Sequence, residues 1–124
     1  MENIELEGTD RTPKVKFSAD KGELEISGRS IPENSISFYK PLFDWIDNYV
    51  ASPQKSTQVA FNLEYFNTSS SKCILDMLRK LELLPQSGYL ARVKWYFDEG
   101  DEDMEESGND FKSLINIDIE LVMK

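Results

Sequence analysis

The chain of 124 residues contains no histidine and only one cysteine, Cys73. Without histidine, Ser-His-Asp and Cys-His catalysis are excluded, and the commonest transition-metal ligand is missing. A single cysteine allows neither an internal disulfide bond nor a zinc site made of several cysteines. We expect Cys73 to be a small buried residue of a helix; the alternative is a reactive thiol near a helix start.

Long apolar runs and positive charge are also scarce. No run approaches the roughly 20 residues that cross a bilayer, and the acidic residues 1–7 lack the pattern of a secretory signal. We therefore expect a cytoplasmic protein with no membrane insertion. Lys and Arg number 14 against 23 Asp and Glu, a net charge of −9. Because affinity for phosphate backbones depends on Lys and Arg, this balance disfavours nucleic acid and favours a protein partner.

Periodicity predicts one α/β domain over residues 1–124, in the order β-β-α-β-α-β-α-β. Pro41 falls inside the first helix, where it predicts either a kink or a separate first turn. The segment 85–88, Pro-Gln-Ser-Gly, is expected to end the second helix. We expect strands at 14–18 and 23–27, joined as a hairpin, and at 59–66, 90–97 and 115–123, with helices near 34–50, 71–84 and 104–114.

All five predicted strands alternate polar and apolar residues. A sheet covered on both faces would have continuously apolar strands, whereas alternation is typical of a sheet covered on one face. We therefore expect two layers: a five-stranded mixed sheet with an N-terminal hairpin, and helices on one face only. The other face is then either solvated surface or a docking surface. The predicted buried face contains Val15, Phe17, Leu24, Ile26, Val59, Phe61, Leu63, Tyr65, Val93, Trp95, Ile117, Ile119 and Leu121.

Four consecutive hydroxyl residues, 68–71, follow Asn67 between a predicted strand and a predicted helix. A helix N-terminus carries unpaired N–H groups and a partial positive charge, so it accommodates an anion. A hydroxyl at this point either caps the helix or accepts a phosphoryl group whose charge the helix end supports. Spacing alone favours the cap and leaves phosphorylation as the alternative.

The densest charge lies in residues 98–106, Asp-Glu-Gly-Asp-Glu-Asp-Met-Glu-Glu. An EF-hand loop needs glycine at its sixth position, and neither Asp98 nor Asp101 as a first residue provides one. The remaining alternatives are a solvated segment that leads into a helix and an acidic edge that faces a partner. Acidic residues are favourable near a helix start in either case.

Three segments resemble the SiaC family of bacterial regulatory phosphoproteins, in the right order and at the right separations. They are Pro-Glu-Asn-Ser at 32–35, Leu-Glu-Tyr-Phe-Asn-Thr-Ser-Ser at 63–70, and Trp-Tyr-Phe-Asp at 95–98 followed by Asp-Glu-Asp-Met at 101–104. The resemblance spans nearly the whole chain. It implies a STAS-like fold, related to anti-sigma factor antagonists, which are switched by phosphorylation at a hydroxyl residue that begins a helix.

The resemblance also implies roles for individual residues and partners. Thr68 would be the phosphoacceptor, modified by a cognate Ser/Thr protein kinase and restored by a PP2C-like phosphatase. Unphosphorylated relatives bind and activate a diguanylate cyclase, which raises cyclic-di-GMP and favours biofilm growth. Asn67, Ser69 and Ser70 would support the phosphosite, with Ser69 to Ser71 capping the helix. Candidate partner contacts are Pro32, Glu33, Asn34, Asp101, Glu102 and Asp103.

Two other functions remain open at this point. One is a small hydrolase or metal-binding enzyme that uses Thr68 or Ser69 with the acidic loop, for which Glu64 is the nearest candidate base. The other is a constitutive scaffold without a switch. The absence of histidine, of Gly-rich phosphate loops and of metal-ligand spacing favours a non-enzymatic protein with no cofactor.

Overall fold

The structure, a computed structural model, describes residues Met1–Lys124 and contains one six-stranded sheet and four helices. No helix is both long enough and apolar enough to span a bilayer. In chain order the elements are β1 Ile4–Leu6, β2 Lys14–Ser18, β3 Glu23–Ser30, α1 Ser35–Ala51, β4 Ser56–Phe66, α2 Thr68–Leu81, α3 Leu83–Gln86, β5 Leu90–Phe97, α4 Glu102–Leu114 and β6 Asp118–Met123.

The strands lie in the sheet in the same order as in the chain. Strands β1, β2 and β3 are antiparallel, and β3 to β6 are parallel. Crossovers between parallel neighbours are right-handed, and three that advance in the same direction place their helices on the same face. The predicted mixed α/β sheet with an N-terminal hairpin is therefore confirmed. We call the face opposite the helices the open face.

The predicted count of five strands was wrong, because the short strand β1 pairs with β2 at the edge of the sheet. Its three residues contain only two apolar side chains, too few to show a period. Hydrogen bonds from distant residues hold the chain just before β1. The Trp45 indole donates to the Glu2 carbonyl at 2.7 Å, and the Ala19 N–H donates to Asn3 Oδ1 at 3.2 Å. Long-range contacts of this kind leave no local sequence signal.

The predicted buried face is confirmed except at its ends, where Leu121 is partly buried and Tyr65 is exposed. The exception at Tyr65 has a geometric cause. The β3–β4 register shifts so that Gly28 pairs with Leu63 but Arg29 pairs with Tyr65, which leaves Glu64 as an extra residue. A bulge of one residue reverses the faces beyond it. Tyr65 therefore joins the exposed side, and Phe66 turns toward the core.

Helix α1 is one continuous helix through Pro41, so the alternative of a separate first turn was wrong. Pro41 is exposed, and its missing N–H removes only the bond to the Ser37 carbonyl. Ile36 is 74% exposed because it lies one position away from the buried stripe of α1, which runs through Ser35, Tyr39, Leu42, Ile46 and Tyr49.

Other boundaries shifted by a few residues, and the second predicted helix is divided in two. Helix α2 begins at Thr68 rather than Ser71 and ends at Leu81. A separate short helix, α3, then contains Pro85, so the chain turns only at Gly88, whose φ is +88°. β6 begins at Asp118 rather than at residue 115.

Trp95 fixes the position of α4 against the sheet. Its ring is 1% exposed, lies 5.3 Å from the Phe111 ring, and donates from Nε1 to the Met104 carbonyl at 2.9 Å. Gly108 permits this approach, because a Cβ atom there would lie 2.5 Å from Trp95 Cδ1. The contact therefore requires glycine although its backbone is helical.

We expect Gly108→Ala to destabilise the protein by about 1–3 kcal/mol, since either the buried indole or α4 must move. Urea unfolding followed by tryptophan fluorescence measures the loss. Asn109→Ala, on the exposed side of the same helix, is the matched control and should leave stability within about 0.5 kcal/mol. Equal stability of the two variants would show that α4 does not depend on this close contact.

Candidate functional site

The parallel strands β3, β4 and β5 end at the same side of the sheet, and each is followed by the N-terminus of a helix. We call this side the carboxyl edge. It brings together, from three distant parts of the chain, the segments that the sequence resemblance marked. They are 32–34 before α1, 67–70 at the start of α2, and 101–103 at the start of α4.

Each of these three helices is capped by the side chain of an Asn or Asp residue. Asn34 accepts a hydrogen bond from the Ser37 N–H at 3.0 Å, and Asn67 accepts one from the Ser70 N–H at 2.9 Å. Asp101 accepts one from Met104 at 3.1 Å. The expectation that Ser69 to Ser71 cap α2 was therefore wrong. Asn67 caps the helix, which leaves the hydroxyls free for other bonds.

Three of the hydroxyls at this edge form a fully buried chain of hydrogen bonds. Ser70 Oγ donates to the Ser30 carbonyl at 2.9 Å, and Ser30 Oγ donates to Ser70 Oγ at 2.8 Å. The Tyr39 hydroxyl lies 2.6 Å from Ser30 Oγ. Tyr39 is the donor in this bond, because the single hydroxyl proton of Ser30 is already donated to Ser70. All three residues are 0% exposed. This chain, the hydroxyl network below, links β3, α1 and α2.

Burial dominates the electrostatics of the network. Desolvation raises the pKa of Tyr39 to about 12, and the hydrogen bond between Tyr39 and Ser30 offsets only part of the effect. Cys73 lies close by in α2, is 4% exposed, and has a thiol pKa that burial likewise raises. A raised pKa disfavours the reactive thiolate. The expectation of a buried, structural cysteine is therefore confirmed.

Ser69 forms a second bridge between the helices nearer the surface. Its Oγ lies 2.7 Å from Ser35 Oγ in the first turn of α1 and donates to Asn67 Oδ1 at 3.2 Å. The N–H of Asn67 in turn donates to the Ser30 carbonyl at 3.1 Å. Ser69 and Ser70 thus have structural partners on both sides, and their hydroxyls hold α1 and α2 side by side.

Thr68 differs from Ser69 and Ser70. It is the first residue of α2 and is exposed, and its hydroxyl takes part in none of the side-chain hydrogen bonds of the molecule. Ser71, the remaining hydroxyl of the run, is half-buried. The N–H groups of Thr68 and Ser69 are first-turn donors that a helix leaves without internal partners. Lys72, one turn along and exposed, lies on the same side of α2.

The other predicted contact residues are divided by burial. Glu33, Asn34, Glu102 and Asp103 are exposed at the carboxyl edge and Asp101 is half-buried as a cap, but Pro32 is buried. Glu102, Asp103 and Glu105 lie in the first turn of α4. No group of three or more His, Cys, Asp or Glu side chains is arranged to hold a metal ion.

Several residues of this edge were missed from the sequence. Ser30 and Tyr39 carry no local signal, because their bonds form between elements that are distant in the chain. Tyr65, 53% exposed, was assigned to the buried face by its periodicity. The strand period indicates which face a residue occupies, but it does not locate a bulge.

Comparison with known proteins identifies the family of this chain. The profile of a family described as "SiaC family regulatory phosphoprotein" matches residues 6–124.

The chain belongs to the SiaC family.

Relatives and solved structures agree with this membership. An uncharacterised protein of Pseudomonas aeruginosa (strain UCBPP-PA14) is 31% identical over 112 residues, covering 90% of this chain and 89% of that protein. SiaC of Pseudomonas aeruginosa is 27% identical, with a TM-score of 0.90 over 100% of both chains. A crystal structure of the diguanylate cyclase SiaD in complex with its activator SiaC contains a chain that is 28% identical. Its TM-score is 0.91 over 98% of this chain and 99% of that one.

In this SiaC-family chain, the hydroxyl network makes the stability of the folded state fall at alkaline pH. The unfolded protein loses the Tyr39 proton near pH 10, whereas the folded protein keeps it until about pH 12. Between these values the unfolded state binds fewer protons, so stability falls as the pH rises. The stabilisation linked to the protonated Tyr39 hydroxyl is therefore fully present below pH 10.

We expect Tyr39→Phe to be less stable than wild type by about 1 kcal/mol at pH 7, because a buried hydrogen bond is lost. The wild type then loses about 2–3 kcal/mol between pH 10 and 12 that the variant does not lose, so their order reverses. Urea unfolding across pH measures this difference. Tyr65→Phe, which removes an exposed phenol hydroxyl, is the control. A gap between wild type and Tyr39→Phe that does not change with pH would contradict the expectation.

Proposed function

We propose that this chain is a non-enzymatic signalling protein whose binding to a protein partner is switched by phosphorylation of Thr68. A cognate Ser/Thr protein kinase adds the phosphate and a PP2C-like phosphatase removes it. The partner is a diguanylate cyclase, so the output is cyclic-di-GMP and biofilm growth. In this proposal residues 1–124 act as one STAS-like, cytoplasmic domain that needs no cofactor. The solved complex of SiaC with SiaD supports the choice of partner.

The observation that carries the proposal is the isolation of the Thr68 hydroxyl. Ser69 and Ser70 are committed to bonds that hold the two helices, and phosphorylating them would break those bonds. Thr68 is exposed and unbonded, so a kinase can reach it without disturbing the fold. A modification site must be accessible and dispensable to folding, and Thr68 meets both conditions.

The phosphate would act within the interface rather than on the fold. It adds about 1.5 to 2 negative charges, and the N-terminus of α2 stabilises them by roughly 0.3–1 kcal/mol. This benefit is too small to rearrange a network that is fully buried. Covering the phosphate with a partner costs several kcal/mol unless the partner supplies a cation. A loss of ~2–3 kcal/mol weakens binding roughly 30- to 100-fold or somewhat more.

Chain purified from its native cells should contain a fraction with one added phosphate, which Thr68→Ala abolishes and Ser71→Ala does not. Intact-mass spectrometry measures the fraction. If Ser71→Ala lost the phosphate and Thr68→Ala kept it, the phosphoacceptor would be Ser71 and the proposal for Thr68 would be wrong.

Binding is tested by capturing the cyclase from the same cells and measuring cyclic-di-GMP formed from GTP in the eluate. Thr68→Ala should retain the cyclase, whereas Thr68→Asp should weaken its binding about tenfold, less than phosphate because it adds a single charge. Ser52→Asp, in the exposed loop after α1 at the far end of the sheet, is the matched charge control. Equal capture by Thr68→Ala and Thr68→Asp would contradict the switch and would support a constitutive scaffold instead.

A further inference from the structure

The charges of the open face change sign from strand to strand. Along the middle of the sheet β2 carries positive side chains, β3 negative, β5 positive and β6 negative, while the body of β4 is uncharged. The side chains, in that order, are Lys14 and Lys16, Glu23 and Glu25, Arg92 and Lys94, Asp118 and Glu120, with Gln58, Ala60 and Asn62 on β4. Two exposed cations lie outside this pattern, near the carboxyl edge: Arg29 at the end of β3, and Lys124 after β6, which donates to Asn62. Read across β4, the pattern is positive, negative, neutral, positive, negative.

The register aligns these charges in rows. Lys16, Glu25, Ala60, Lys94 and Glu120 lie directly opposite one another on five successive strands. The neighbouring row contains Glu23, Gln58, Arg92 and Asp118. Both rows therefore have the same sequence of signs around β4.

Most of these charges have no ionic partner within the molecule. Arg92 and Asp118 approach to 3.8 Å, and no other pair on the rows forms a salt bridge. Lys16 and Glu25 are cross-strand neighbours, as are Lys94 and Glu120, but neither pair closes. The side chains are exposed and remain available to charges outside the chain.

We propose that the open face binds a second copy of this chain. A twofold axis that runs along β4, between two facing sheets, places β3 of one copy over β5 of the other, and β2 over β6. Each negative strand then lies over a positive one, and β4 faces β4. The pattern is self-complementary because its signs are reversed on the two sides of a neutral centre.

The other twofold arrangement is excluded by the same charges. An axis perpendicular to the strands places β3 over β3 and β5 over β5, so that like charges meet across the whole face. Like-charge juxtaposition suppresses an association. The charge pattern therefore selects both the second copy as the occupant and the orientation of its strands.

Shape also favours this pairing. Ala60, at the centre of the face, lies in a shallow hollow of about 400 Å³ whose lining includes Lys16, Glu25, Lys94 and Tyr96. When the two copies face each other, the hollows meet near the axis. They leave room for the long side chains of Glu25 and Lys94 to reach across to their counterparts.

The expected dimer is weak. Five strands at about 4.8 Å spacing give a face roughly 20 Å wide, which buries on the order of 1,000 Å² in total, the lower limit for a specific interface. Because the strands of the two copies run in the same direction, both carboxyl edges lie at the same end of the dimer. Two copies of Thr68 would thus face a partner together, and neither would lie within the dimer interface.

Charge reversal on either strand should break the dimer, and mixing should restore it. Glu25→Lys alone places positive over positive, and Lys94→Glu alone places negative over negative, twice in each dimer. Each variant should dimerise roughly tenfold more weakly than wild type. In a mixture, every Glu25→Lys strand meets a Lys94→Glu strand of opposite sign. The mixture should recover wild-type affinity as a heterodimer.

Sedimentation velocity over a range of protein concentrations measures the association, at 0.05 M and at 1 M NaCl. High salt should weaken the wild-type dimer, because screening acts on exposed pairs. Lys112→Glu is the control, because it makes the same charge change as Lys94→Glu at an exposed residue of α4 that forms no salt bridge. This variant should dimerise as wild type does. Urea unfolding of each variant separates a loss of dimer from a loss of fold.

The mixing experiment distinguishes the proposal from a purely intramolecular role for these charges. An intramolecular role would make each variant monomeric or unstable alone and no better in the mixture. A wild-type chain that stays monomeric at every concentration, or variants that dimerise undiminished, would overturn the proposal. None of these outcomes depends on Thr68, so they leave the proposed phosphorylation switch untouched.

Discussion

The buried hydrogen bonds between Ser30, Tyr39 and Ser70 are the constraint on which the carboxyl edge depends. They join the end of β3 to α1 and to the first turn of α2, in a place that water does not reach. Buried hydroxyls must be paired, since an unpaired one costs about 1–3 kcal/mol. The three side chains therefore fix one relative position of the two helix starts, and the external surface of the edge follows from it.

The network also separates the structural hydroxyls from Thr68, the hydroxyl that we propose is regulatory. Asn67 satisfies the helix cap, and Ser69 and Ser70 are occupied by the contact between α1 and α2. Thr68 is left exposed on a rigid support, at a helix end that favours negative charge. In the proposed switch, a phosphate held in this way needs no conformational change to act, because its charge at the binding edge would itself oppose a partner.

Much of this arrangement was predictable from the sequence, and the failures have physical causes. Alternating strands correctly indicated helices on one face, and the run 67–71 marked the strand-to-helix corner. Strand β1 escaped detection because its stability comes from β2 and from Trp45. The Glu64 bulge reversed Tyr65, and no period of two or 3.6 residues encodes a bulge. Ser30 and Tyr39 were missed because their partnership exists only after folding.

The central claim is that the phosphate on Thr68 acts locally on a preformed edge. Amide NMR spectra of the unmodified and the Thr68-phosphorylated chain test it most directly. The account predicts shift changes confined to the starts of α1, α2 and α4, with unchanged amide signals for Ser30, Tyr39 and the strands. Changes that spread through Tyr39 into the sheet, or loss of hydrogen-exchange protection in α1, would show that the phosphate rearranges the fold and would contradict the claim.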